Sequence, residues 1–268
     1  MFGNTDFPAE RGAATPLSQS GLRRHIRRVW PPLLSALSVL SVASGITAGA
    51  AVVRYDLETA GRWITDDSAT GIASTISIAE TGLVTSVSVS FEASVPADQT
   101  GWAGDLYAYL QHENGFAVLL NRPGRTATDP FGYSDSRSIR VTFSDGATNG
   151  DIHRYRMGLN GSDATPLLGA LTGDWAPDGR AVDPDLVTGD TPRTALLGGF
   201  AGHQLGGSWT LFIADVSGGG QYQLDRWGLQ FEVQPIPEPG TTAAVVCAGL
   251  FAFAAARRWR SGGVKSGR

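Results

Sequence analysis

The chain of 268 residues predicts an all-β fold: a jelly-roll-like β-sandwich flanked by an N-terminal signal peptide and a C-terminal transmembrane helix. Two observations predict the sandwich. Between residues 51 and 234 the apolar residues fall in short runs of period two, separated by turns rich in Gly and Asp. Nowhere in that stretch does an apolar stripe persist for three helical turns. A third observation, an apolar segment beside an arginine cluster at each end, predicts the flanks.

In chain order, Arg23, Arg24, Arg27 and Arg28 form a basic region, Leu33 to Ile46 an apolar core, and Ala48-Gly49-Ala50 a small-x-small site, which together predict export and cleavage after Ala50. About 185 residues follow, enough for one domain with a full core. Leu83 to Phe91 places Val87, Val89 and Phe91 on one face with serines opposite, and Ser138 to Phe143 repeats the pattern. Gly104 to Leu110 puts Leu106, Ala108 and Leu110 on one side and Tyr107 and Tyr109 on the other. Phe116 to Leu120 is a continuous apolar strand, and Asn114-Gly115 predicts the turn between the two. Ser208 to Ala214 and Tyr222 to Val233 make a second pair, joined through Ser217-Gly218-Gly219-Gly220, with Trp227, Leu229, Phe231 and Val233 alternating. Gly161 to Gly199 carries four prolines and little periodicity, so it reads as an extended surface loop packed by Leu167, Leu168, Leu171 and Trp175. Thr194 to Phe200 reads as a short strand or turn.

The chain closes with Pro237, Glu238 and Pro239, an uncharged run from Thr241 to Ala256, and Arg257, Arg258 and Arg260. Two prolines keep the tripeptide extended. Sixteen residues of helix would rise about 24 Å, slightly short of a bilayer core of about 30 Å, and the arginines supply a cytoplasmic flank. This order resembles the PEP-CTERM sorting signal of Gram-negative bacteria, a family of tails also grouped as ice-binding protein C-terminal domains, a label that describes the tail alone. The resemblance implies processing by an exosortase. It divides the chain into a signal peptide with an extended basic region (1–50), the sandwich (51–234), the sorting signal (235–260) with its transmembrane helix (241–256), and a cytoplasmic tail (261–268).

Composition agrees with export. The single cysteine, Cys247, lies in the tail, so the exported part forms no disulfide. Residues 51–236 hold eleven Arg, no Lys and twenty-two Asp plus Glu, a net charge of −11, which disfavours nucleic acid and anionic lipid and suits divalent cations.

The segment Gly104 to Leu110, followed by Asn114-Gly115 and Ala117 to Leu120, resembles a hairpin of the P domain, or P/Homo B domain, that follows the catalytic domain in proprotein convertases and many bacterial subtilases. Gly207 to Asp215 with Trp227-Gly228-Leu229 is similar to that family's closing hairpin, and the likeness spans residues 72–233. It implies a jelly-roll sandwich.

No catalytic constellation stands out. There is no G-x-S-x-G elbow and no H-E-x-x-H. His112, His153 and His203 read as surface or turn histidines. Asp105 and Asp215 read as carboxylates capping turns, with metal binding the other reading. Asp174, Asp178, Asp183 and Asp185 fall within twelve residues of loop, where solvated carboxylates are the plain reading and calcium the other. The expectation is therefore a protein that is not an enzyme and needs no cofactor unless calcium. It is exported, anchored in the inner membrane by its tail, then sorted by an exosortase to the cell surface or a biofilm's polysaccharide matrix, with a structural or binding role. A carbohydrate-binding module with Trp63, Trp102, Trp175 or Tyr133 as stacking platforms is one alternative. A P domain partnering a separate subtilisin-like protease is another.

Overall fold

A computed structural model describes residues 23–24, 50–135, 138–234 and 246–255. Two sheets face each other across one apolar core. The larger contains β1 (Arg23–Arg24), β2 (Ala51–Trp63), β4 (Leu83–Ser94), β7 (Ser138–Phe143), β8 (Leu171–Trp175) and β10 (Gln223–Gln234), in the order β1-β2-β10-β4-β7-β8. The smaller contains β3 (Ser68–Ile78), β5 (Leu106–His112), β6 (Gly115–Asn121) and β9 (Gly207–Asp215), in the order β3-β9-β5-β6. All neighbours run antiparallel except β7 and β8.

Strand parity builds the core. Val87, Val89 and Phe91 on β4 and Trp227, Leu229, Phe231 and Val233 on β10 are buried, as their alternation predicts. They meet Ile72, Ile76 and Ile78 of β3 and Trp209, Leu211 and Ile213 of β9 from the other sheet. The indoles inside find acceptors: Trp227 Nε1 donates to Ser74 Oγ at 2.9 Å across the sandwich, and Trp209 Nε1 donates to the Leu205 carbonyl at 2.9 Å.

Several expectations need correction. The turn between β5 and β6 is Glu113-Asn114, with His112 paired to Gly115, one residue earlier than Asn114-Gly115. Gly115 is required for a different reason: a Cβ there would stand 2.5 Å from the Phe200 ring. The loop from Gly161 to Gly199 contains β8, which adds in parallel to β7 through Ile139↔Leu171 and Phe143↔Trp175. Leu171 and Trp175 are fully buried and Leu167 partly so, but Leu168 is 97% exposed and packs nothing. The short strand or turn expected over Thr194 to Phe200 is a turn: Leu197–Phe200 forms a short 3-10 element, held by Asp145 accepting from the Leu197 and Gly198 amides.

The ends are described in part. Arg23–Arg24 pairs with Asp56 and Tyr55 on β2, and Ala50 is exposed just before that strand. Residues 246–255 are helical and exposed, a rise of about 15 Å, and no helix among the described residues is long and apolar enough to cross a membrane. The rest of the 241–256 segment lies outside the described residues, as do Ala48, Pro237, Glu238, Pro239, Arg257, Arg258 and Arg260.

Candidate functional site

Two of the three histidines, His112 and His153, occupy other places than surface turns, while His203 lies in the turn before β9. His112 is 1% exposed, and its ring stacks on Trp209 at 3.9 Å between centroids. Its Nε2 is 2.8 Å from the Gln204 carbonyl and its Nδ1 3.1 Å from that of Ser208. Strand parity carries the signal for this: His112 follows Leu106, Ala108 and Leu110 on the inward face. His153 is equally buried, with Nδ1 2.8 Å from Asp178 Oδ2. A His–Asp pair invites comparison with a hydrolase, but Nε2 faces the Arg125 carbonyl at 3.0 Å. That ring nitrogen is therefore occupied, where a general base must face a nucleophile's hydroxyl. The pair is part of a pin: Asp178 also meets Arg180, whose Nη2 donates to Asp151 Oδ2 at 2.7 Å and to the Gly189 carbonyl at 2.8 Å. His203, partly exposed, has Nδ1 3.8 Å from Glu113 Oε2.

The four loop aspartates are dispersed in the same way. Asp178 belongs to that pin, Asp185 accepts from Arg122 Nη1 at 2.8 Å, and Asp183 caps its own turn through the Asp185 amide. Asp174, on β8, lines an open polar groove of about 420 Å³ on the outer face of the larger sheet with Ser86, Ser88, Thr142, Gln230 and Glu232.

Asp105 and Asp215 are a different case. They sit at the start of β5 and the end of β9, adjacent strands in which Leu106 pairs with Asp215. They are 1% and 0% exposed, and neither oxygen of either carboxylate has a hydrogen-bond partner. The capping role expected of them is absent. Asp66, in the turn between β2 and β3, adds a third acid: Oδ2 accepts from the Gly219 amide at 3.4 Å while Oδ1 is buried and unpartnered. Burial pushes the Asp105 carboxyl up to about 7, the Asp66 charge adding to it and the Arg122 charge opposing it. Burial, helped by the charges of Asp105 and Asp66, pushes Asp215 up to about 8. Ser217 lies near enough to lower both a little without making a hydrogen bond to either.

The smaller sheet's outer face holds an aromatic stripe. Tyr109 is its centre: its ring is 4.8 Å from Phe212 and nearly parallel to it, 4.9 Å from Phe116 and 5.8 Å from Tyr107. The next row across the sheet is polar, with Gln111 opposite Thr210 and Thr210 opposite Thr75, whose hydroxyls are 2.9 Å apart. Of the aromatics expected to serve as platforms, Trp175 and Tyr133 are buried, Trp102 is covered by the Gly219 segment, and Trp63 is half exposed. The stripe was foreshadowed only by Tyr107 and Tyr109 facing away from the apolar parity. Phe212 and Phe116 join it through cross-strand register, which a single segment does not reveal.

No protein-family model matches the chain, and no curated protein does. Two solved structures from Aeromonas sobria are similar to it. One is a serine protease in complex with its chaperone, at 14% identity and a TM-score of 0.36, covering 69% of this chain and 27% of that one. The other is the serine protease, at 14% identity and a TM-score of 0.37, covering 68% and 27%. The chain thus spans 27% of the length of the proteins it matches, and a likeness this distant says nothing of its activity.

Proposed function

We propose that the protein is an exported, non-catalytic module that binds neutral polysaccharide through the aromatic stripe and is sorted by its PEP-CTERM-like tail to the cell surface or matrix. The stripe is the observation that carries this reading. Four rings in contact on an outward sheet face, bordered by an amide and two hydroxyls, offer flat apolar area for the C–H faces of a sugar and hydrogen-bonding groups for its hydroxyls. None of these seven side chains is charged, and the domain around them is acidic, so a neutral glycan suits the face better than an anionic one. The export and sorting parts of the reading rest on the sequence of the two ends. Membership of the P-domain type is part of the same proposal, supported by the two resembling segments lying side by side as β5 and β9.

Affinity electrophoresis of the full chain through gels holding neutral or acidic polysaccharides tests the binding. Retardation by at least one neutral glycan, lost in Tyr109→Ala and Phe116→Ala but kept in Trp63→Ala, is the expected result. Equal mobility in every gel, or retardation unchanged by the stripe substitutions, removes the proposal.

A further inference from the structure

The carboxylate pole around Asp105 and Asp215 has no part in the glycan reading, and its composition calls for a ligand. Two carboxylates with all four oxygens buried and unpartnered are unlike ordinary structural acids, which are paired or hydrogen-bonded. Among the described residues the one nearby cation is Arg122, whose Nη2 is 3.9 Å from Asp105 Oδ1. Its other nitrogens are taken, Nε by the Gly104 carbonyl at 3.1 Å and Nη1 by Asp185 at 2.8 Å. It cannot neutralise two acids and a third at Asp66.

The groups facing the pole are oxygens. Besides Asp105, Asp215 and Asp66 they include exposed Asp67 in the same turn, Ser217, and the backbone of the segment from Ser217 to Gly220. That segment is pressed down on the pole: a Cβ on Gly219 would stand 2.4 Å from the Trp102 ring, and one on Gly220 would stand 2.9 Å from the Thr100 carbonyl. The three glycines thus bring backbone close to the acids. Among the described residues no histidine or cysteine takes part, which points to a hard cation with oxygen ligands and away from zinc.

We propose that this pole is a divalent-cation site of calcium chemistry, in which Asp105 and Asp215 supply carboxylate oxygens and the Ser217–Gly220 segment supplies hydroxyl and carbonyl oxygens. Among the described residues no group of three or more His, Cys, Asp or Glu side chains is placed to hold a metal ion, so the ligating carboxylates of this pole number two. The backbone and hydroxyl oxygens are therefore needed to complete the shell. The raised pKa values of Asp105 and Asp215 describe the pole without a cation, and a bound ion returns both to the ionised state.

The test uses the full chain in detergent, stripped with EDTA and titrated with Ca²⁺, with Mg²⁺ as comparison, while thermal unfolding is followed. Terbium serves as a second probe, since Trp102 is close enough to sensitise its emission. The expected result is a saturable rise in Tm of about 5 °C or more with Ca²⁺ and terbium emission displaced by Ca²⁺. Both responses should vanish in the double variant Asp105→Asn/Asp215→Asn, which remains folded by near-ultraviolet circular dichroism because it no longer buries unpaired acids. They should persist in Asp174→Asn and Asp183→Asn. Absence of any Ca²⁺ response in the native chain overturns the proposal, as does a response retained by the Asp105/Asp215 variant. Should that variant fail to fold, the native chain's terbium emission and its displacement by Ca²⁺ decide alone.

Discussion

At the scale of the residue, Asp105 and Asp215 set a pH dependence. An isolated aspartate titrates near 3.9, whereas these two titrate at about 7 and about 8 in the folded chain. The folded state therefore keeps protons that the unfolded state has released, so metal-free stability is unpenalised below about pH 4 and falls as the pH rises toward 8. Urea unfolding in EDTA at pH 5 and pH 8 checks this. The native chain should be less stable at pH 8, and Asp105→Asn/Asp215→Asn should flatten the difference; equal native stability at the two values contradicts it. The sequence showed where these acids stand, at strand ends, and hid their isolation, because a hydrogen bond not made leaves no trace in a residue pattern. His112 was more legible than its reading as a turn residue allowed. The parity that buries Leu110 also buries the residue two places on.

At the scale of the element, alternation alone did not decide what was readable: β6 was read from its continuous apolar run, while β2 and the alternating β3 went unread. β7 spans Ser138–Phe143 as its alternation requires, β4 extends three residues beyond its reading, and β10 is displaced by one residue from its own. β8 escaped notice because its buried residues, Leu171 and Trp175, are separated by the exposed Thr172, Gly173 and Asp174. Its existence comes from parallel pairing with β7, a long-range fact. Trp175 is its anchor, with Nε1 donating to the Thr172 carbonyl at 3.0 Å. Trp175→Ala should cost about 3–5 kcal/mol by emptying a filled site. Leu168→Ala, seven residues earlier and exposed, should lie within about 0.5 kcal/mol of the native chain. Denaturant titration of the two variants compares them, and similar costs would remove β8 from the core.

At the scale of the whole molecule, the two-sheet sandwich was legible from period and turns, while its function was not, since a sandwich hosts many tasks. The sorting proposal has its own check. Intact-mass measurement of the protein released by its host should find an N-terminus at Ala51 and loss of the tail beyond the Pro237–Pro239 region. A released product running to Arg268 contradicts it. One feature of register gives the assembly a direction. Ala51 and Val233 are paired neighbours, so the strand that opens the described sandwich and the strand that closes it meet at one end of the larger sheet. Trp63, at the far end of β2, lies roughly 40 Å away at about 3.3 Å per residue, and the turn beyond it carries Asp66. The sandwich thus has two unlike poles, one where its first and last strands meet and one that carries the acidic rim. An ion taken up at the rim and a chain joined at Ala51 or Gln234 act on opposite ends of the same sheet.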